Sequence, residues 1–310
     1  MTVHIAIDIG GTQMRAASYA DHSLEPLKVQ RIQSQVAGVK PQQRLVEIIK
    51  SVWPEDESVK AIGIAVAGPL DLKTGLIQKS PNIPAFDDFP IVSFLMEKFQ
   101  IPVHLGNDAN LAALGEWRHG AGQKHENLIY LTISTGIGSG IITDGKLLLG
   151  ARGMAAELGH VTIFPNGPIC SCGKRGHLEA IASGTAITKW TREQLKQGKK
   201  SSLSKFKDFD ARHIAQAAYS GDSLGLSAFS RAGEALGIAI VNFLVIFNPT
   251  CIIFGGGVSK SIDLLLPHIN EALKTKIFEP SYCQDLILKT AALGDDAGLL
   301  GALVLARESS

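Results

Sequence analysis

The chain has 310 residues, and 30 Lys+Arg against 29 Asp+Glu give a formal net charge of +1. That balance excludes the strong positive excess that nucleic-acid coating or polybasic membrane attachment requires. The length predicts two domains or one large one with an unstapled core. The 32 glycines exceed the usual share of about 7%.

In chain order, residues 1–12 (MTVHIAIDIGGT) show no basic leader and carry Asp8 inside the apolar run, so no secretion signal is expected. Val3–Ile9 alternates and predicts a strand, Gly10-Gly11-Thr12 a tight turn, and Met14–Tyr19 the returning strand. Pro41–Val52 has Leu45, Ile48, Ile49 and Val52 at helical spacing. Ala61–Val66 predicts a buried strand ended by Gly68-Pro69. Ile91–Phe99 predicts a helix opened by Pro90. Val103–Leu105 predicts a short strand that runs into Asn107-Asp108 and a helix over Ala109–Glu116. Leu128–Ser134 restarts the pattern: strand, Gly136, Gly138 and Gly140 as a glycine turn, and a return through Ile141-Ile142. Asp144-Gly145 is a hairpin signal before Lys146–Leu149. Residues 165–178 read as a loop and Lys189–Phe206 as helical at first, then exposed. Leu224–Phe247 predicts a long apolar helix stopped by Asn248-Pro249. Its longest apolar run, Ala235–Phe247, is about 13 residues, short of the roughly 20 that span a bilayer. Cys251–Phe254 predicts a strand before Gly255-Gly256-Gly257. A helix over Ile262–Lys274, a strand over Leu286–Thr290 and a small-residue helix over Ala297–Ala306 follow. Strand, glycine turn, strand thus occurs twice.

Three glycine clusters follow apolar strands. Glycine lets backbone N–H groups approach an anion, and Thr12 or Thr135 adds a hydroxyl donor. The alternative for each is an ordinary hairpin turn. Dinucleotide and P-loop motifs do not fit: Gly136–Gly140 leads into a strand, and no GKS or GKT follows any cluster. Asp8-Ile9-Gly10-Gly11-Thr12 resembles the first phosphate loop of the sugar kinase/actin/heat-shock-ATPase superfamily. Thr132–Gly140 (TISTGIGSG) resembles its second, and Ile252–Val258 (IIFGGGV) its adenosine loop. From Asp8 to Leu293–Ala302 the chain resembles the ROK family of bacterial sugar kinases, in the glucokinase branch.

That resemblance implies an α/β, two-lobed actin-like (ribonuclease-H-like) fold with mixed sheets, flanking helices and a cleft. It implies one lobe over 1–117 plus 297–310 and another over 118–296. It implies ATP and Mg²⁺ at Asp8, Gly10, Gly11, Thr12, Thr135, Gly136, Gly138, Gly255, Gly256 and Gly257. Gln13 stands where the family often has Lys, which shifts the phosphate charge onto Mg²⁺, backbone N–H groups and the two threonines. It implies Asp108 as the catalytic base. Phosphoryl transfer to an alcohol needs a carboxylate that orients the hydroxyl and accepts its proton, and Asp is ionised at neutral pH from a reference pKa of about 3.9. An N-cap is the alternative for Asp108. Asn82, Asn107, Glu157, His160 and Glu179 correspond to sugar contacts, although an isolated Glu is usually a solvated charge.

His160, Cys170, Cys172 and His177 are spaced H-x9-C-x-C-x4-H. Cys and His are the donors of tetrahedral structural zinc; a metal-free loop with two thiols is the alternative. The family block usually ends in a third Cys, and His177 takes its place here. Zinc would fix His160 and Glu179 against the sugar, with His160 using one ring nitrogen for each partner. Cys251 and Cys283 read as core residues. The expected reaction is ATP-dependent phosphorylation of a hexose, foremost glucose at its 6-hydroxyl. N-acetylmannosamine, N-acetylglucosamine, fructose or allose as acceptor, polyphosphate as donor, and a sugar-binding regulator without kinase activity are the alternatives. A DNA-binding repressor would need an N-terminal helix-turn-helix, for which Val3 leaves no room. A cytoplasmic homodimer or homotetramer without nucleic-acid or membrane partners is expected.

Overall fold

The computed structural model describes residues 2–80 and 82–309; the predicted lobe ends at Met1 and Ser310 lie outside them. In the first half, β1 (Thr2–Ile9) and β2 (Gln13–Ala20) form the expected hairpin, followed by β3 (Pro26–Gln33). Then come α1 (Pro41–Val52), β4 (Ser58–Val66), the small pair β5 (Leu70–Asp71) and β6 (Leu76–Ile77), and α2 (Ile91–Phe99). β7 (Val103–Asn107) and α3 (Asp108–His119) complete it. The sheet order is β3-β2-β1-β4-β7, with β1, β4 and β7 parallel and the β1–β2 and β2–β3 pairs antiparallel.

The second half repeats this order. It contains β8 (Leu128–Ile133), β9 (Ile137–Thr143), β10 (Lys146–Leu147), α4 (Glu179–Ala182), α5 (Gly184–Lys196) and α6 (Ala211–Tyr219). α7 (Ser223–Phe247), β11 (Cys251–Gly255), α8 (Leu266–Lys276), β12 (Ile287–Thr290) and α9 (Ala297–Glu308) follow. Its order is β10-β9-β8-β11-β12, again a hairpin beside parallel strands. Asp144 and Gly145 both have positive φ, as a type I′ hairpin requires.

Alternation places Ile5, Ile7 and Ile9 against Leu45, Ile48 and Ile49 of α1, while Ala6 faces Leu299 and Leu303 of α9. Each fully buried large aliphatic contributes about 1.5–3 kcal/mol. α3 lies between the sheets. Leu111 and Leu114 join the cluster of β1, β4 and α9, and Ala112 and Ala113 join Leu128, Tyr130 and Ile253 of the second sheet. α3 and α9 cross so closely that a Cβ on Gly301 would stand 1.7 Å from the Leu111 carbonyl oxygen. α7 is long and apolar enough to cross a membrane, yet Leu236, Ala239, Ile240, Phe243 and Leu244 on it are buried core residues.

Several predicted boundaries move. The helix expected from Ile262 begins at Leu266, because Pro267 suits a first turn and Ser261 has non-helical φ and ψ. α5 starts at Gly184, capped by the Ser183 hydroxyl, five residues before Lys189. β3 and α6 were not expected; β3 is an exposed edge strand whose side chains show no buried alternation. Gly138 and Gly140 are strand residues rather than turn residues. Their missing Cβ atoms admit Ala109 and Ala113 of α3 against β9.

Candidate active site

Parallel strands end at the same edge of each sheet, and the chemistry gathers at those ends. In the first half β1 runs into Gly10–Thr12, β4 into Gly68 and β7 into Asn107. The first turn is closed by a Gly10 N–H to Gln13 carbonyl bond (3.0 Å), and the Ser34 hydroxyl donates to the Gly10 carbonyl. A Cβ on Gly11 would stand 2.4 Å from the Asn82 Cβ, so this glycine brings Asn82 against the turn. Gln35 Nε2 ties the two, donating to the Asn82 carbonyl at 2.9 Å. Thr12 and Gln13 are exposed.

Asp8 pairs with Arg15 across the hairpin, Nη2 to Oδ2 at 2.6 Å. Arg15 also reaches Asp296 Oδ1 at 3.0 Å and the Asp295 carbonyl. Arg15 belongs to no motif in the sequence. Its signal was register: seven residues on from Asp8 across a short hairpin, it has to be a cross-strand neighbour.

Asn107, not Asp108, caps α3. Its Oδ1 accepts from the amides of Ala109 (3.0 Å) and Asn110 (3.2 Å). That leaves Asn107 Nδ2 as a donor and relieves Asp108 of the cap. Asp108 keeps a solvent-accessible edge and is crowded by protein elsewhere. Burial pushes its carboxyl up to about 6; the Ala109 amide pulls down, and the nearby charges of Asp8 and Glu157 push up. The carboxyl therefore titrates closer to neutrality than the reference value implies, and stays mostly ionised at pH 7.

In the second half, the turn Ser134–Gly136 follows β8. Its Ile137 amide donates to Glu179 Oε2 (3.1 Å), and a Cβ on Gly136 would meet that oxygen at 2.4 Å. Gly256, at φ +83°, presses on the Ile133 backbone and sets the third turn beside the second. A cavity of about 820 Å³ opens between Thr135 and Gly257. Its far wall is Thr188 and Arg192 of α5 with Phe209 and Arg212. These wall residues carry no motif, and helical spacing alone does not reveal them.

Glu157 is exposed beyond β9, and Gly159 packs its backbone on Ile137. Ser139 holds this segment: its hydroxyl donates to the Ala156 carbonyl and accepts the Leu158 amide (3.0 Å). His160 and His177 rings meet edge to face at 5.4 Å. His160 Nδ1 is 3.7 Å from Cys170 Sγ, and His177 Nδ1 is 3.3 Å from Cys172 Sγ. All four donor atoms lie within 4.8 Å of one another. Tetrahedral zinc with ordinary bond lengths sets N···S near about 3.6 Å, so the donor set fits that ion. His160 Nε2 remains for another partner. Glu179 Oε1 accepts from Ser171 Oγ (2.6 Å) and Cys170 Sγ (3.4 Å). Burial alone would raise the Glu179 carboxyl; Ser171, the Ile137 amide, Cys170 and the His160 charge outweigh it and hold it below its ordinary value. Of the remaining thiols, Cys251 is buried, which pushes it up to about 11, and Cys283 is half-buried.

The ROK family profile matches residues 4–309. The chain belongs to the ROK family. Among its ROK relatives, a glucokinase of Thermotoga maritima is 37% identical over 98% of this chain and 97% of its own length. A ROK hexokinase from Thermus thermophilus superposes with a TM-score of 0.85 at 33% identity, covering 99% of this chain and 98% of the other. A ROK family glucokinase from Streptomyces griseus, in complex with glucose and AMPPNP, gives 0.80 at 31% identity and covers 99% of each chain. The fold is thus the two-sheet, actin-like kinase fold that the phosphate-loop motifs imply.

Proposed function

We propose that this ROK protein transfers the γ-phosphoryl group of Mg–ATP to a hexose, foremost the 6-hydroxyl of glucose. The observation that carries the reading is Asp108: a carboxyl raised to about 6, freed from capping by Asn107, at the strand ends beside Asp8 and Glu157. Full-length likeness to glucokinases supports glucose as the acceptor.

The lobes in this reading are 1–117 plus 297–310 and 118–296, and closure over the sugar excludes water. Adenosine occupies the cavity between Thr135 and Gly257, and the phosphates lie between the Gly10–Thr12 and Thr135–Gly138 turns. Thr12 and Thr135 donate to phosphate oxygens, and Asp8 faces the Mg–ATP substrate. Asp108 accepts a hydrogen bond from the sugar hydroxyl and takes its proton as the new O–P bond forms and the β–γ bridge breaks. Asn82, Asn107 Nδ2, Glu157, His160 Nε2 and Glu179 hold the other hydroxyls. His160, Cys170, Cys172 and His177 would hold a structural zinc that stiffens the loop beneath Glu179. The protein works in the cytoplasm as a homodimer or homotetramer.

A coupled ADP-release assay with Mg–ATP across hexoses and N-acetylhexosamines tests this. Glucose should give kcat above about 1 s⁻¹. Turnover confined to an N-acetylhexosamine would reassign the acceptor; none with any sugar would remove ATP as the donor and turn the test to polyphosphate, and none with either donor would remove the kinase reading.

A further inference from the structure

Two chain segments join the halves, and they meet at one buried carboxylate. Glu116, near the end of α3, is 0% exposed. A carboxylate removed from water needs a cation or several donors. Here backbone amides serve: Ala121 N–H reaches Oε2 at 2.8 Å, Ala292 N–H reaches Oε2 at 3.1 Å, and Leu293 N–H reaches Oε1 at 2.7 Å. Ala121 lies where the chain leaves α3 for β8. Ala292 and Leu293 lie where it leaves β12 for α9. Gly120 makes room, since a Cβ there would stand 2.1 Å from Oε2. The carbonyl of the same residue is tied to the second sheet, because Lys289 Nζ on β12 donates to it at 3.0 Å. Both crossings are therefore bonded to one side chain. That side chain sits on the helix whose first residue is Asp108.

We propose that Glu116 is a positioning residue: the pivot about which the halves close, fixing where Asp108 meets the phosphoryl donor. The proposal rests on the two-lobe kinase reading above. Two bonded crossings confine the rotation to an axis through this carboxylate. Glu116→Gln turns one oxygen into an NH₂ that cannot accept, so the bond from Leu293, or those from Ala121 and Ala292, is lost while size is kept. Lys289→Met cuts the tie of Ala121 and His125 to β12 and leaves α3 untouched.

The test combines amide hydrogen exchange, small-angle X-ray scattering with and without glucose, and steady-state kinetics on the full chain. In Glu116→Gln, exchange should rise at least about tenfold at 293, or at 121 and 292, according to which oxygen becomes the NH₂, by loss of the buried acceptor. Glucose-induced contraction should be lost. The kcat should fall about 10–100-fold, the effect of a misplacement near 1 Å, while glucose Kd stays within about threefold. Lys289→Met should reduce the contraction and kcat in the same sense, by less. Raised exchange with normal contraction and kcat in both variants would reduce Glu116 to a fold-holding residue and overturn the proposal. A wild type that phosphorylates glucose without contracting would overturn lobe closure and the pivot together. A wild type inactive on every sugar with ATP and with polyphosphate that still contracts, with contraction lost in Glu116→Gln, would remove the kinase reading and keep the pivot.

Discussion

The two halves share a strand order and a glycine turn at the same strand end, yet they brace those turns differently. The first turn is closed by its own neighbours: Gln13, Ser34, Gln35 and the Asp8–Arg15 pair. The second leans on Glu179, which reaches across to Ser171 in the cysteine loop. Apart from Asn82 and the reach of Arg15 to Asp295 and Asp296, the bracing of the first turn is local. Remote bracing makes the second turn answer to whatever shapes residues 170–177. A repeated architecture thus carries one locally held turn and one that the cysteine loop can adjust.

The largest effect should come from the fixed side. Asp108→Asn should lower kcat at least about a hundredfold while glucose affinity changes less than about tenfold; near-normal turnover would remove Asp108 from its role. On the adjustable side, Cys172→Ser should lose zinc by elemental analysis and weaken glucose binding together. A wild type purified without zinc would refute the metal assignment outright. The pH profile sharpens the contrast next. The raised Asp108 carboxyl picks up its proton as pH falls through about 6, and the protonated form is no base. So kcat/KM for glucose should fall about tenfold per pH unit below that point, and a profile flat down to about pH 4.5 would deny the buried setting of Asp108. The smallest effect isolates the strut. Ser171→Ala removes one hydrogen bond to Glu179, of about 1 kcal/mol, so glucose affinity should drop about fivefold. Gln35→Ala, its counterpart at the first turn, should move ATP KM by less than about twofold; equal effects would erase the distinction between the turns.

Much of this was legible wherever one residue type answers one local demand. Leu45, Ile48, Ile49 and Val52 announced α1, Asp144-Gly145 announced its turn, and the Cys and His spacing announced a cluster that the fold does bring together. Asp108 stood out by position, but its shifted carboxyl did not, because burial and the charges of Asp8 and Glu157 come from distant segments. Gly138 and Gly140 read as a turn since glycine serves both turns and tight packing; only α3 lying on β9 separates the two uses. β3 stayed hidden because an exposed edge strand shows no buried face. Arg15 and Glu116 stayed hidden because their meaning lies in partners up to 281 and 177 residues away.

The return of α9 to the first sheet bears on how the chain is made. Leu299, Ala302 and Leu303 fill the sheet face that Ala6 of β1 and Ala17 of β2 present. Synthesis runs from the N-terminus, and domains ordinarily fold as they emerge. Here only α3 is made in time to cover part of that face, and the whole second half must follow before α9 completes it. The early strands must therefore wait, exposed, for a late helix. A chaperone that shields that face during translation should raise the yield of active protein more than one added after release.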